Sequence, residues 1–275
     1  IPLVAIVDTG LMGNLDNASY LTATSIATSV FSLIFWSFGF LRMGTVGLVA
    51  QAHGSNQYEQ IVNLVFQNIV FVIIISLLLV IFQKYIFTIA LSIFDLSNET
   101  SKYFKEYFEI RIYSSFGELI IFIITGLFIG LQRTTISSVV VGFFSITNIV
   151  LSLIFVISFD LDVRGVALGT VLSSTLTAII FLCYTFFELK KFTSIKINIA
   201  KIFNLKKIKK LFNINFDIFI RSALLTFSFI FFTYLGNTIS EDVVAANTIL
   251  LNLIMLSAFI LDAYAFSTEG IVGYS

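Results

Sequence analysis

The sequence is poor in the residues that most chemistry needs. It has one histidine, one cysteine and one proline in 275 residues, and only 12% of it is charged. One histidine removes every metal site built on paired histidines and argues against histidine-dependent catalysis. One cysteine excludes a disulfide scaffold. No HExxH stretch is present, and no serine nucleophile stands with a plausible base, so an intramembrane enzyme is not expected and neither is a cofactor or a metal. Apolar residues fill the space instead. They make up 58% of the chain, 32 of them phenylalanine, against ~45–50% in ordinary soluble domains. Mean hydropathy is +1.01. So much apolar surface cannot be hidden inside a soluble protein of this size, and disorder demands the opposite composition. A polytopic membrane protein remains.

Uncharged runs cover 17–41, 60–83, 134–159, 165–187, 222–240 and 243–261. Each is near or above the ~20 residues a helix needs to cross the hydrocarbon layer, and none alternates as a barrel strand would. The sequence therefore predicts an all-α polytopic membrane protein with eight spans. They lie at 1–13, about 19–46, 58–82, 105–132, 134–158, 163–187 and 211–238, with the eighth from about 241 to the last residue. There is no initiator methionine, and the first and last spans read as cut short, so a fragment of a longer transporter-like protein is expected.

Lysine and arginine set the orientation. Lys190, Lys191, Lys196, Lys201, Lys206, Lys207, Lys209 and Lys210 crowd between spans six and seven, against Glu188 alone. This 188–210 segment is expected in the cytoplasm, together with the turns holding Arg133 and His53. The mixed 84–105 stretch is then an outward loop. From Ile199 to Phe212 apolar residues recur at helical spacing among the lysines. That pattern suits a short amphipathic helix on the anionic inner leaflet, read as an anchor between two bundles ahead of a lipid sensor. A shift of 223 lays span two on span eight: Ala23 meets Ala246, Ile26 meets Ile249, Leu33 meets Leu256, and 44–49 meets 267–272. A repeat that starts after the basic linker implies a six-helix N-terminal lobe at 1–187, the linker at 188–210, and the first two helices of a repeat-related second lobe at 211–275.

Ionisable groups inside spans are where function concentrates, because each costs about 2.5–3.5 kcal/mol at a helix centre. Asp8 lies in Val7-Asp8-Thr9-Gly10 with no lysine or arginine near it in sequence. Such a carboxylate can load and release a proton near neutral pH, or can serve packing alone by bonding to helix ends. Asp217 and Arg221 are four apart on span seven and share a face. Asp262 and Glu269 are seven apart on span eight and also share one. The four form either a structural ion-pair cluster or a coupling site. Arg42 and Glu118 read as interfacial or packing groups, and Asn148 and Thr170, taken alone, as interhelical glue.

The stretches Ile1-Pro-Leu-Val-Ala-Ile-Val-Asp-Thr-Gly10, Leu41-Arg-Met-Gly-Thr-Val-Gly-Leu-Val-Ala-Gln51, Asp217-Ile-Phe-Ile-Arg-Ser222 and Ala245-Ala-Asn-Thr-Ile-Leu-Leu251 resemble the MATE family (multidrug and toxic compound extrusion). With Leu261-Asp-Ala-Tyr-Ala-Phe-Ser-Thr-Glu-Gly270 the resemblance extends to its DinF-like branch. It implies helices one to eight of a twelve-helix antiporter, with two six-helix lobes around a central cavity. Asp8 matches the acidic residue of helix one that such proteins use for cation coupling. Asn148 and Thr170 match an asparagine and a threonine of the same site. The family usually has an aspartate four residues after that asparagine, where this chain has Ser152. Loss of that carboxylate points to a proton, rather than sodium, as the coupling ion. The function implied is cation-coupled export of small organic, often cationic, compounds from the cell, through the bacterial inner membrane. The alternative is a lipid-linked oligosaccharide flippase of the same superfamily, whose cavity should be strongly cationic. No nucleic-acid partner is expected.

The topology can be checked by labelling. In a Cys183→Ser background, Asn204→Cys should react with a membrane-impermeant maleimide only after permeabilisation, and Asn17→Cys should react in intact cells. Labelling of position 204 from outside would overturn the orientation.

Overall fold

The computed structural model describes residues 2–13, 18–94, 96–192 and 216–225, and scattered helical residues from 227 to 273. Among these, all regular structure is helical. The helices are α1 (Pro2–Gly13), α2 (Ala18–Ser37), α3 (Phe40–Gly54), α4 (Tyr58–Ile81), α5 (Gln83–Ile93), α6 (Asn98–Arg111), α7 (Ser115–Gly130), α8 (Thr134–Leu153) and α9 (Asp162–Phe192). Five stretches are long and apolar enough to cross a membrane: Ser19–Gly54, Tyr58–Ile81, Asn98–Gly130, Thr134–Ser158 and Asp162–Lys191. α1 packs against α2 and α8. The expected spans seven and eight, the basic linker beyond residue 192, and any amphipathic helix within it lie wholly or mostly outside the described residues.

Three sequence expectations change. The second span does not end near 46 but runs to Gly54, and it breaks on the way. The amides of Phe38 and Gly39 bond three residues back, to Phe35 and Trp36 (both 3.0 Å), so the helix tightens for one turn and resumes as α3. The 84–105 stretch is not a loop. α5 follows α4 after the single residue Phe82, and α6 begins at Asn98, where the Ser97 hydroxyl caps the Thr100 amide. Charge misled the reading here, because Lys84 interrupts the apolar run and α6 carries Glu99, Lys102, Lys105, Glu106 and Glu109. The last helix also reaches Phe192, so residues 188–192 belong to α9 rather than to the linker.

α7 is the hub. Twelve of its sixteen residues are buried, and it lies between α3, α4, α8 and α9. Gly126 permits this, since a Cβ there would stand 2.7 Å from the Arg42 carbonyl oxygen on α3. A phenylalanine cluster seals the contact of α2 with α6: Phe31 lies 5.0 Å from Phe108 between ring centroids, and Phe104 and Phe108 meet Phe87 of α5. Exposed apolar side chains such as Ile81, Ile89, Ile146 and Ile157 face outward, as lipid contact requires. At the end of the bundle opposite the α8–α9 turn, buried Glu188 accepts from Lys191 at 2.5 Å and from Arg133. That ion pair fastens the α7–α8 turn to α9.

α3 also meets the later part of the chain. Phe40 packs edge-on against Phe219 at 6.1 Å. A Cβ on Gly273 would lie 2.7 Å from the Ala50 Cβ. Ala50 and Gly273 are 223 positions apart, the same offset that superposes span two on span eight. Residues that the expected repeat would make equivalent thus lie against each other. Ala50→Cys with Gly273→Cys, in a Cys183→Ser background, should cross-link under mild oxidation. Proteolysis between 193 and 215 would then leave the two fragments joined on a non-reducing gel. Separation of the fragments would mean that this contact does not exist in the membrane.

Candidate functional site

Asp8 is 7% exposed on α1. Its Oδ1 has no hydrogen-bond partner among the described residues. Ser152 of α8 is its polar neighbour, and the guanidinium of Arg111 is close enough to act on it electrostatically. Ser152 is fully buried and its Oγ also lacks a partner among the described residues. One turn earlier on α8, Asn148 is fully buried. Its Nδ2 donates to Thr170 Oγ1 at 3.0 Å and to Ser173 Oγ at 3.4 Å, both on α9. Those two hydroxyls donate their own hydrogens to the carbonyls of Val166 and Thr170. They can only accept from Asn148, which fixes the amide with its NH2 toward α9. Asn148 Oδ1 is left open. The side chains of Asp8, Asn148 and Ser152 thus hold three buried oxygens without partners, where each ordinarily costs about 1–3 kcal/mol. A grouping of that kind is what a site for a small cation or a proton requires.

Backbone geometry brings these groups together. Gly169 lets α9 approach α8 at Ser152: a Cβ there would lie 2.6 Å from Ser152 Oγ and 2.9 Å from its backbone nitrogen. Directly after, Ile154–Ser158 widens into a π-helical turn, a distortion that often marks functional positions. The sequence singled out Asp8, Asn148 and Thr170. The structure brings Asn148 and Thr170 into one hydrogen bond and sets Asp8 beside Ser152, four residues along the same helix.

A second part of the site was not anticipated. Arg111 ends α6, and the chain passes through a 3₁₀ turn, Ile112–Ser114, before α7 begins. Arg111 forms an ion pair with Glu118 one turn into α7, with side-chain exposures of only 11% and 15%. Ser114 Oγ accepts from Arg111 and lies 2.9 Å from Glu118 Oε1. Phe31 and Phe35 of α2 cover the guanidinium, with centroids 5.2 and 5.3 Å from its carbon. Tyr107, fully enclosed one turn before Arg111, interacts with Arg111, with Thr28 and with Asp8. Glu118 therefore is a packing group, as read from the sequence, but its partner is an arginine that the sequence reading passed over. The signal was there: Arg111, Ser114 and Glu118 stand at i, i+3 and i+7, one face of a helix.

Of the charged cluster expected on spans seven and eight, Asp217, Arg221 and Asp262 are exposed among the described residues. Glu269 lies outside the described residues. Among the described residues no group of three histidine, cysteine, aspartate or glutamate side chains could hold a metal ion.

Residues 1–154, which carry Asp8, Arg111, Glu118, Asn148 and Ser152, match the MatE family. The chain belongs to that family. It is 30% identical over 244 residues to DNA damage-inducible protein F of Escherichia coli K12, an alignment covering 88% of this chain and 52% of that protein. The chain thus spans about half the length of its curated relative. MATE structures share its fold. A MOP superfamily transporter from Pyrococcus furiosus superposes with a TM-score of 0.80 at 20% identity, covering 99% of this chain and 58% of the other. The bent form of a Vibrio cholerae MATE transporter gives 0.82 at 18% identity, covering 98% and 61%. This MatE chain is accordingly a multi-pass membrane protein.

The fit at Gly169 is testable. Gly169→Ala places a methyl group against a backbone atom of α8, so the two helices must part. Overpacking of this kind costs about 1–3 kcal/mol. A lowered melting temperature in detergent is expected, and an unchanged one would show that α8 and α9 are not so close.

Proposed function

We propose that this MatE chain serves the export of small organic, often cationic, compounds by alternating access, coupled to the inward movement of protons. The observation that carries the reading is Asp8: a buried carboxylate with an open oxygen, in a pocket of neutral polar groups from α8 and α9. Protonated, Asp8 becomes a donor and can close a hydrogen bond to Ser152 or Asn148, drawing α1 onto α8. Ionised, it is stabilised instead by the positive charge of Arg111. The two protonation states therefore favour two placements of α1 within its lobe. Coupling follows when the proton binds the inward and outward states of the protein with different affinity.

Asn148 and Thr170 hold the pocket open for this exchange. Asn148 donates its amide hydrogens to Thr170 and Ser173, and Thr170 donates its own to the Val166 carbonyl, so what Asn148 leaves open is an acceptor oxygen. The flippase alternative finds less support here. A pyrophosphate group needs free cations, and the buried Arg111 is already occupied by Glu118.

Asp8→Asn in the full-length protein tests the reading. Asparagine keeps the shape and hydrogen-bonding capacity of the side chain but cannot titrate. Proton-driven efflux from vesicles should fall to background while expression and melting temperature hold. Efflux at the wild-type rate would show that Asp8 serves packing alone.

A further inference from the structure

The short helix α5 has three sides. Ile86, Phe87, Ala90 and Leu91 pack into the protein. Lys84, Thr88 and Ser92 are polar and exposed. Tyr85, Ile89 and Ile93 are apolar or aromatic, and 70%, 60% and 70% exposed. At about 100° per residue, these sets point roughly a third of a turn apart. Immersion in water would leave the third side unfavourably wet, and immersion in hydrocarbon would strip the second of water. We propose that α5 is an interfacial helix: it lies inclined in the headgroup layer of a phospholipid leaflet, with Tyr85, Ile89 and Ile93 against the acyl chains and Lys84, Thr88 and Ser92 toward headgroups and water.

Three features of the structure support this placement. The first is length. The 24 residues of α4 rise ~36 Å at ~1.5 Å each, enough to cross the ~30 Å hydrocarbon layer before α5 begins. Phe82 then departs from helical geometry, with φ −88° and ψ 7°, so α5 leaves the line of α4. The second is depth. Phe87 lies 5.4 Å from Phe104 and 5.6 Å from Phe108 between ring centroids. On the same turns of α6, Tyr103 meets Tyr20 at 4.5 Å and Glu106 pairs with Arg164 at 3.1 Å. The Tyr20 hydroxyl donates to Asp162 at the start of α9, also at 3.1 Å. Tyrosines and paired charges mark the level where apolar spans meet water. Phe87 shares that level, so α5 belongs to the leaflet surface at the α8–α9 end of the bundle. The third is continuity. Leu77 and Ile81, exposed on the membrane-crossing α4, are followed at the same four-residue spacing by Tyr85, Ile89 and Ile93. This side offers bulky groups and no small residue for a partner helix to seat on, which makes lipid its occupant. An apolar side at the acyl boundary with a polar side above it is the arrangement that holds a helix at a membrane surface. Through Phe87, the same helix fastens α6 at that depth.

The test is spin-label accessibility in the full-length protein, carrying Cys183→Ser, in phospholipid nanodiscs. Single cysteines replace Lys84, Tyr85, Thr88, Ile89, Ser92 and Ile93 in turn, all of them exposed positions that tolerate a label. Relaxation is measured with oxygen, which concentrates among acyl chains, and with a water-soluble nickel chelate. Labels at 85, 89 and 93 should favour oxygen, with an oxygen-to-nickel ratio several-fold above that of labels at 84, 88 and 92. Nickel access at all six positions, or access that climbs steadily from 85 to 93, would mean that α5 stands in water and would overturn the proposal. Labels at 85, 89 and 93 shielded from both reagents would show a second copy or another protein segment on that side, and would equally overturn it. Oxygen preference at all six would place α5 within the hydrocarbon, with the same consequence. Ile89→Trp in a Trp36→Phe background gives a reading without spin labels. Lipids brominated near the headgroup end of the acyl chain should quench its fluorescence, and an unquenched Trp would contradict the placement. None of these readouts depends on transport or on Asp8.

Discussion

The ion pair of Arg111 with Glu118 is the constraint around which the first lobe is arranged. A charge inside an apolar bundle is tolerated only with a partner and with its remaining hydrogen-bonding groups engaged. Arg111 meets that demand across a break in its own helix. The 3₁₀ turn Ile112–Ser114 separates α6 from α7 where the pair forms, and Ser114 supplies the hydroxyl that bridges the two charges. α2 is then fixed by what it must do for the same group, because Phe31 and Phe35 form the lid over the guanidinium. α7, which carries Glu118, is in turn the most enclosed helix of the bundle. One buried cation thus sets the relation of three helices.

Asp8 belongs to the same electrostatic system but is treated oppositely. Glu118 is saturated by Arg111 and Ser114, whereas Asp8 keeps an open oxygen and neutral neighbours. Two carboxylates in one lobe are thereby given two roles. The saturated one anchors, and the unsaturated one is the carboxylate on which the proposed function rests. Orphaned polar atoms are expensive in a bundle that has no water to satisfy them. Three such oxygens, on Asp8, Asn148 and Ser152, lack partners among the described residues, a standing cost that apolar side chains would not carry.

Much of the fold was legible because the bilayer enforces a simple code. Uncharged runs of span length marked α4, α8 and α9 nearly to their ends, since nothing else in the sequence competes with hydropathy there. The same code failed where charge and helix coincide. α6 holds Glu99, Lys102, Lys105, Glu106 and Glu109, so its first two turns read as loop. Arg111 fell inside the expected fourth span and still drew no notice, although Glu118, seven residues on and alone in an apolar run, did. Asp8 was legible for the converse reason: it is the single charge between residues 1 and 15. Asn148 and Thr170 could be tied to it only through family resemblance, because their 22-residue separation means nothing until α8 and α9 are laid side by side.

Ser152 shows why site chemistry cannot be read from residue types alone. In sequence it is a small polar residue of the kind membrane helices use for packing. In the structure it is packed so tightly against Gly169 that no side chain fits on the facing helix, and Asp8 is the polar neighbour of its hydroxyl. The π-helical turn that begins two residues later shifts the register of the end of α8 without changing the helix before it. A strictly α-helical continuation would carry Ser152 and Asn148 in an unbroken hydrogen-bonded ladder to the α8–α9 turn. The widened turn instead loosens the ladder immediately beyond the site. Any movement of α1 that follows a change of charge on Asp8 therefore meets α8 where its backbone is least regular. A helix bends at lower cost at such a point than within a regular α-helical segment.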